Sequence, residues 1–279
     1  MPASTSQLTF EDLLAAPAPA VELASFDVIL VNSSAGKDSQ AMLDYLVELA
    51  DAEGVRDRMV VVHCDLGRVE WEGTRELAER QAAFYGLRFE AVSRPQGDLL
   101  TQIEARGMFP SSTARYCTSD QKTGQVKVLI TRLVAELAHL GRPVRILNCL
   151  GLRAQESPAR AKKVALGPDS ASNGKREVVR WLPIFDWTVE DVWARIEASG
   201  VEHHRAYDLG MPRLSCCFCV LASRSSLVLA AQHNPELADE YVAVEARIGH
   251  QFRQDISMAD IVAAAARETA PVVAADWNA

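Results

Sequence analysis

The sequence predicts an α/β protein built on an open, mostly parallel twisted sheet with helices on both faces. Short apolar runs alternate with segments of helical periodicity, and each apolar run ends at small or polar residues. Strands buried on both faces of a parallel sheet are apolar throughout, which explains these runs. The chain has 279 residues, of which 48% are hydrophobic and 24% charged, so it can bury a full core.

The first predicted unit covers residues 26 to 50. The run Val28-Ile29-Leu30-Val31 predicts a buried strand, and the small residues from Asn32 to Gly36 predict a turn. After Lys37, the apolar residues return at helical spacing, which predicts a helix. The later predicted elements are strands at Met59–Cys64, Phe89–Val92 and Val144–Leu150, and helices at Thr74–Tyr85, Lys127–Leu140 and in the tail from Arg224, with openings at Asn234-Pro235 and Ser257.

Three regions follow from this pattern. Residues 1 to 24 are rich in Ala, Pro, Ser and Thr and predict a partly disordered leader, which is neither a signal peptide nor a membrane span. The α/β domain, which carries a cysteine cluster, is predicted to cover residues 25 to 222, and a helical C-terminal region is predicted at residues 223 to 279. Six cysteines without a secretory signal indicate metal or thiol chemistry in a reducing cytoplasm, with no membrane partner.

The net charge of −8 argues against a protein that coats nucleic acid by itself, since non-specific affinity comes from Lys and Arg. Local basic patches remain compatible with it. The stretch from Arg153 to Arg180 is basic, and residues 167 to 174 in its middle are rich in turn formers, so this segment is expected to be irregular. It is either a solvated loop or a mobile lid that meets a phosphate-bearing substrate.

The turn after the first strand predicts a phosphate site. A loop of small residues at a helix N-terminus turns backbone N–H groups toward an anion, and Lys37 adds a full charge on the surface of the site. The nucleotide P-loop is excluded, because Val31 and Asp38 stand where it needs glycine and Ser or Thr. The alternative is an ordinary surface turn with a solvated lysine.

This loop resembles the Ser-Gly-Gly-Lys-Asp-Ser signature of the PP-loop ATP pyrophosphatases, with Ala35 in place of one glycine. The resemblance implies that the loop holds the β- and γ-phosphates of ATP as a leaving pyrophosphate, with Mg²⁺, and that ATP is cut at the α-phosphate. Two further strand ends are expected beside it. The nucleotide-binding residues expected are Ser33, Ser34, Ala35, Gly36, Lys37, Asp38, Ser39, Asp65 and Gly151, and those expected to act in catalysis are Lys37, Asp38, Arg153 and Arg160.

Asp65 follows the second strand and could hold magnesium or a ribose hydroxyl, although a carboxylate there is more often a cap or an ion-pair partner. Arg153 and Arg160 could each bind a phosphate through two hydrogen bonds. The segments Gly151–Arg160, Trp181–Trp193 and His204–Gly210 are similar to phosphoadenylyl-sulfate (PAPS) and adenylyl-sulfate reductases. Within the second of these, Thr188 and Asp191 have capping-box spacing, so part of the block is expected to be scaffold.

The cysteines give a second signal. Cys117 lies far upstream of a Cys-x-x-Cys pair that has a third cysteine inside it, which is typical of an iron–sulfur cluster or zinc. Metal-free thiols, redox-active or persulfide-carrying, are the third possibility, and adjacent cysteines need not both bind. Cys64 and Cys149 end apolar strands and are expected to be buried small hydrophobes. The predicted ligands, for which a [4Fe-4S] cluster is favoured, are Cys117, Cys216, Cys217 and Cys219.

Taken together, these motifs identify the chain as a member of the PP-loop and PAPS reductase superfamily, nearest to the ATP pyrophosphatases of DNA phosphorothioation systems. That resemblance implies transfer of AMP to an acceptor, release of pyrophosphate and displacement of AMP by sulfur. It implies a cysteine desulfurase as sulfur donor and other modification proteins that hold the DNA. A PAPS or adenylyl-sulfate reductase is the enzyme alternative, although the tail lacks the cysteine such reductases use. A non-catalytic regulatory subunit is the other alternative.

Overall fold

The computed structural model describes residues 21 to 268. They contain one six-stranded sheet in the order β3-β2-β1-β4-β6-β5, in which every neighbouring pair is parallel except β5 and β6. The predicted fold class is therefore confirmed. Most of the predicted leader and the end of the tail lie outside the described residues. The strands are β1 Val28–Ser33, β2 Met59–Cys64, β3 Arg88–Val92, β4 Val144–Leu150, β5 Leu166–Pro168 and β6 Arg176–Trp181.

None of the helices within residues 21 to 268 is long and apolar enough to cross a bilayer. The predicted helix at Lys127–Leu140 begins earlier, at Gly124, and ends at Glu136, after which Ala138–Leu140 forms a separate 3₁₀ turn. A helical turn at Tyr116–Thr118 and a π-helical turn at Ser119–Thr123 lead into it. The helices are α1 Lys37–Ala52, α2 Thr74–Phe84, α3 Leu99–Arg106, α4 Gly124–Glu136, α5 Pro158–Ala161, α6 Val189–Ser199, α7 Arg224–His233, α8 Pro235–Ile248 and α9 Met258–Arg267.

The sheet is covered on both faces because its central strands are apolar on both sides. In β1, Ile29 and Val31 pack with α1 and α6, whereas Val28 and Leu30 pack with α4. The N-terminus of α6 has the predicted capping box: Thr188 Oγ1 accepts from the Asp191 amide, and the Asp191 carboxylate accepts from the Thr188 amide. The apolar cores on the two faces of the sheet together hold the carboxyl ends of β1, β2 and β4 at one edge.

A third core lies beside the sheet and belongs to the C-terminal helices. Helices α7, α8 and α9 pack on the loop after β2, on α3 and on the segment that contains the Cys-x-x-Cys pair. The predicted openings are confirmed: Pro235 is the first residue of α8, and Ser257 caps α9 in a capping box with Asp260. This core therefore joins the cysteine region to the tail.

The basic stretch is more regular than the sequence predicts. Residues 167 and 168 were expected to be irregular but belong to β5, where Gly167 pairs with Arg180 of β6. The turn predicted just after them is present, closed by a bridge between Asn173 and Arg176. Backbone pairing with β6 outweighs the weak strand propensity of Gly and Pro here.

Candidate functional site

The carboxyl ends of β1, β2, β4 and β6 open into one cavity of about 660 Å³. The phosphate loop forms one part of its wall, as expected for a ligand site at the edge of a parallel sheet. Of the residues predicted to bind nucleotide, Ala35, Lys37 and Asp65 do not line it, and of the predicted catalytic residues Lys37 and Arg153 do not. Those that do line it are Ser33, Ser34, Gly36, Asp38, Ser39, Gly151 and Arg160.

The phosphate loop is fixed by hydrogen bonds among its own small side chains. The Ser39 hydroxyl donates to Gly36 O (2.9 Å) and accepts from the Ser34 amide (3.1 Å), while Ser33 Oγ accepts from the Ala35 amide (3.2 Å). Ala35 has φ 56°, a left-handed conformation that glycine adopts more easily. Its side chain is fully buried against Leu77 and other apolar residues, so the loop is held by packing as well.

Gly151 explains why the end of β4 comes so near the loop. A Cβ atom at this position would lie 3.0 Å from backbone atoms of Asp38 and Ser39 in the first turn of α1. Those neighbours are backbone atoms and cannot rotate away. The absence of a side chain at Gly151 therefore sets the distance between β4 and the phosphate loop.

A buried ion network stands behind the loop. Asp38 accepts from Lys37 Nζ (3.1 Å) and from Arg153 Nε (2.6 Å), and the Lys37 and Arg153 side chains are only 5% and 4% exposed. Burial alone would raise the pKa of Asp38, but Lys37 and Arg153 outweigh it and hold the pKa below 3.8. Lys37 was expected to lie on the surface of the site, and this expectation was wrong because its side chain is buried.

A second pair of arginines lies at the cavity around Glu156. Arg160 forms an ion pair with Glu156, and Arg213 lies 3.9 Å from the same carboxylate. Burial and the neighbouring Arg213 lower the pKa of Arg160, although it stays a cation at neutral pH. Glu156 also accepts from the Arg153 amide, so this pair is joined to the loop end of the cavity.

The structure adds Tyr207, which no sequence motif placed at the phosphate loop. Its hydroxyl accepts from the Lys37 amide (2.8 Å), so it caps the N-terminus of α1 from 170 residues away in sequence. Burial raises the pKa of Tyr207, which keeps the phenol neutral. The tyrosine was visible only as part of the His204–Gly210 block.

Asp65 lies apart from the phosphate loop. It lines a second, smaller cavity of about 390 Å³, where it is 3.5 Å from Arg75 and caps the Gly67 amide. Its predicted contact with magnesium or ribose stays a prediction.

The polar pair of His63, in β2, and Glu70, which follows that strand, lies in the main cavity, with His63 Nε2 at 3.2 Å from the Glu70 carboxylate. A histidine inside an otherwise apolar strand is the sequence signal for this pair.

The cysteines occupy two different environments. Cys149 is fully buried in the sheet core, as expected, and burial raises the pKa of its thiol. Cys64 was expected to be buried as well, but it is half-buried, lines the main cavity and lies 3.8 Å from Lys122 O. Cys217, a predicted ligand, is 1% exposed inside the C-terminal core.

Two of the remaining thiols, Cys216 and Cys219, lie near Lys122, as Cys64 does. Cys117, Cys216 and Cys219 are half-buried and pack against the same core as Cys64. Burial raises the pKa of Cys216 to about 12, although Lys122 works in the opposite direction. Lys122 is exposed to solvent at the cavity, yet the many protein atoms around it would lower the pKa of its ammonium. Cys216 and other neighbouring acidic groups outweigh this effect and raise that pKa.

Within residues 21 to 268, no three Cys, His, Asp or Glu side chains converge closely enough to hold one metal ion. A single-ion zinc site therefore does not fit these residues. A polynuclear iron–sulfur group is larger and is held by more widely separated thiolates. Four half-buried thiols beside one core, Cys64, Cys117, Cys216 and Cys219, are soft donors of the type that such a group requires.

Comparison with known proteins finds similar sequences over more than half of the chain. The chain is 28% identical over 225 residues to the adenosine 5'-phosphosulfate reductase of Allochromatium vinosum, covering 77% of this chain and 78% of that protein. It is 31% identical over 161 residues to an uncharacterised 37.8 kDa protein of Escherichia phage 186, covering 57% of this chain and 46% of the phage protein. The match thus spans under half the length of the phage protein.

Two solved structures are also similar. PAPS reductase from Candida auris in a phosphate complex shares 16% identity, covers 70% of this chain and 83% of that chain, and has a TM-score of 0.46. The U34-tRNA thiolase NcsA from Methanococcus maripaludis, with its [4Fe-4S] cluster, shares 18% identity, covers 80% and 70%, and has a TM-score of 0.46.

The family comparison covers more than half of the chain. The model of the phosphoadenosine phosphosulfate reductase domain matches residues 28 to 222. This range begins at the first residue of β1 and ends two positions before the first residue of α7. This range contains the phosphate loop, the main cavity and all six cysteines. The chain therefore belongs to the phosphoadenosine phosphosulfate reductase domain family.

Proposed function

We propose that the protein is an ATP pyrophosphatase that transfers AMP to an oxygen atom of an acceptor and releases pyrophosphate. The observation that supports this most directly is the phosphate loop, which lines the main cavity at the N-terminus of α1. Backbone N–H groups and the helix dipole there favour an anion with several negative oxygens. The loop lacks the residues of a hydrolytic P-loop, since Asp38 follows its lysine and is already bound by Arg153.

The chain's own residues would act mainly by holding charge in place. The acceptor oxygen attacks the α-phosphorus, the bond to the bridging oxygen of the β-phosphate breaks, and pyrophosphate leaves with that electron pair. Fixed donors in a site shielded from water stabilise the charge that develops on the leaving group. Arg160 lies in the cavity to do this, and the network around Asp38 keeps the loop from shifting. Magnesium would supply further neutralisation of the phosphate charge if it is bound with ATP.

The acceptor chemistry that fits best is sulfur insertion, with DNA phosphorothioation as its setting. In this setting a thiol or persulfide displaces AMP from the activated acceptor, and a cysteine desulfurase supplies the sulfur. Other modification proteins would supply most of the DNA contacts, consistent with a net charge of −8. The support for this setting is the resemblance of the motifs together with the thiols beside the cavity.

The same thiols support a [4Fe-4S] cluster as a resident group, with Cys117, Cys216 and Cys219 among its ligands. Cys64 and Cys217 are the two candidates for a fourth, and the cluster would supply an iron atom that can bind sulfur. Protein prepared without oxygen should contain iron and acid-labile sulfide, which Cys117→Ser should remove and Cys149→Ser should not. Cys64→Ser and Cys217→Ser, compared by iron content, then decide which thiol is the fourth ligand. Colourless protein without iron would remove the cluster from this proposal.

The decisive experiment for the activity is to incubate the protein with ATP and magnesium and to identify the products. AMP and pyrophosphate are expected, whereas ADP and orthophosphate would contradict the proposal. Binding of ATP without products would favour a regulatory subunit. Lys37→Ala should abolish the activity, and its effect on stability must be measured because Lys37 is buried beside Asp38.

A matched pair of glycine variants tests the site without removing a charge. Gly151→Ala should abolish AMP formation, because the new Cβ would meet the backbone of Asp38 and Ser39 at 3.0 Å and displace the loop. Gly174→Ala makes the same chemical change in the β5–β6 turn, where nothing lies within 4 Å, and should keep full activity. Equal activities for both variants would argue against this loop as the site.

A sulfonucleotide reductase is the second candidate function. It is favoured by the similarity to the Allochromatium vinosum adenosine 5'-phosphosulfate reductase over most of both chains. With adenylyl sulfate or PAPS and a thiol reductant, the protein should form no sulfite. Sulfite formation at a rate comparable to a reductase would replace the pyrophosphatase assignment.

A further inference from the structure

The main cavity carries cations that lack carboxylate partners. Seven basic and four acidic side chains line it. Each acidic side chain at the cavity has a partner. Asp38 and Glu156 bind arginines, and Glu70 lies beside His63. Asp169 accepts a hydrogen bond from Asn148. In the described part of the chain, the basic residues at the cavity without an ion pair to a carboxylate are Arg115, Lys122, Lys127, Lys163 and Arg180.

This concentration is unusual for the rest of the molecule. The chain is acidic overall, with a net charge of −8, and arginines elsewhere on its surface are mostly paired. Arg88 binds Glu90 and Glu136, and Arg142 binds Asp27. Cations left unpaired around one concave site repel one another and raise the local positive potential. An anionic ligand at this wall of the cavity would relieve that repulsion.

Arg180 gives an independent indication. It projects from β6 into the cavity wall, and its buried Nε has no hydrogen-bond partner within residues 21 to 268. In the same range its guanidinium makes a single hydrogen bond, a long one from Nη2 to Val164 O (3.4 Å). A buried donor without an acceptor destabilises the protein, and a phosphate oxygen matches the fork of a guanidinium.

The triphosphate of ATP does not account for these residues. The phosphate loop and the pair around Glu156 supply its binding groups at the ends of β1 and β4. Lys127 belongs to α4, which packs on the opposite sheet face from α1, while Lys163 and Arg180 belong to the stretch around β5 and β6. Cations from separate elements suit a ligand that carries phosphates at more than one place.

We propose that Arg115, Lys127, Lys163 and Arg180 bind the phosphodiester backbone of a single-stranded nucleic acid, which is the acceptor that the enzyme adenylates. This inference rests on the proposed function, because it names the acceptor of that reaction. Lysines bind phosphate as point charges and arginines through paired donors, which suits backbone contacts without sequence readout. A cavity of about 660 Å³ has the size of a small-ligand site and is too small for a duplex.

Two charge-reversal pairs test the site. Lys127→Glu with Lys163→Glu changes two residues of the cavity, and Lys162→Glu with Lys175→Glu makes the same change in net charge at exposed positions outside it. The probe is a fluorescent single-stranded DNA of about 10 nucleotides, measured by anisotropy at several salt concentrations. The first pair should weaken binding about 10-fold or more and reduce the salt dependence, because each lost lysine contact removes part of the released counterions. The second pair should change affinity less than about 2-fold.

The outcomes separate the possible ligands. An equal loss in both pairs, no binding by the unaltered protein, or equal binding of a strand with an uncharged methylphosphonate backbone would each overturn the inference. Displacement of the strand by millimolar inorganic phosphate or adenosine 3',5'-bisphosphate would also overturn it and would assign the cations to a free phosphate. The proposed function is tested apart from this, since it fails when ATP yields no AMP, whichever way the strand binds.

Discussion

The two sides of the main cavity are built on opposite electrostatic principles. Behind the phosphate loop, Lys37, Asp38 and Arg153 form a buried network in which each charge has a partner. On the side of α4 and β5, Lys127 and Lys163 have no carboxylate partner among the described residues. The charges of the first side bind one another and hold the loop in place, whereas the cations of the second side remain available to a ligand.

This difference predicts where substitutions affect stability and where they affect binding. Removing one member of a buried network leaves the others charged and unpaired, which destabilises the fold. Replacing a partially exposed cation removes little stability, because its charge was already screened by water. Variants at Asp38 should therefore unfold more easily, and variants at Lys163 should fold normally and bind less.

The largest effect is expected for Asp38→Asn. The substitution leaves the buried Lys37 ammonium and Arg153 guanidinium without their carboxylate, so the free energy of unfolding should fall by about 3–5 kcal/mol. The control Asp51→Asn breaks an exposed ion pair with Arg56 and should cost much less, because water already screens that pair. Urea denaturation at pH 7 measures both. A cost for Asp38→Asn as small as that of the control would contradict the buried network.

The pH dependence of stability should show a second internal group, His204. Its Nδ1 accepts from the Ala206 amide, so Nε2 carries the proton and lies 3.1 Å from Thr74 Oγ1. Burial lowers the pKa of His204 from 6.5 to about 4. The unfolded chain therefore takes up a proton first as pH falls, and about 3 kcal/mol of stability should be lost between pH 6.5 and 4.

His204→Gln should flatten this part of the stability profile, whereas the exposed control His139→Gln should leave its slope unchanged. The free energy of unfolding is measured from pH 7 to pH 4 by urea denaturation. The paired carboxylates do not produce the same loss, because Asp38, with a pKa below 3.8, gives up its stabilisation only at still lower pH. Equal slopes for the original protein and His204→Gln would rule out the neutral buried histidine.

How much of this site could be read from the sequence depends on the range of each interaction. The strand bounds Met59–Cys64 and Val144–Leu150 and the loop before α1 were predicted correctly, because local pattern determines them. The bond from Arg153 to Asp38 joins residues 115 positions apart, and no local pattern reports it. The position of Cys64 beside the distant thiols was missed for the same reason.

A smaller effect is expected at Tyr207, which binds the phosphate-loop side of the cavity through the Lys37 amide. Tyr207→Phe removes the acceptor of the Lys37 amide and should lower the free energy of unfolding by about 1–2 kcal/mol. ATP should reduce this loss if a phosphate oxygen takes over as acceptor. Tyr45→Phe is the control, since none of the hydrogen bonds of the described residues uses the Tyr45 hydroxyl. Thermal unfolding with and without ATP measures the difference, and an identical loss in both conditions would contradict the exchange of acceptors.

The smallest effect is expected at Ala35, and its sign is the informative part. Ala35 has φ 56°, and a left-handed conformation costs a residue with a Cβ roughly 1–2 kcal/mol, a cost that glycine does not bear. Ala35→Gly relieves this strain but gives the unfolded chain more freedom and removes a buried methyl group that packs on Leu77 and Ala78.

These opposing contributions should leave the free energy of unfolding of Ala35→Gly within about 1 kcal/mol of the original value. Ala41→Gly is the control, because Ala41 is equally buried but lies inside α1, where glycine has no strain to relieve and should destabilise clearly. Urea denaturation compares the two. A loss at Ala35 as large as that at Ala41 would mean that the methyl group, and not the backbone conformation, determines the stability of the phosphate loop.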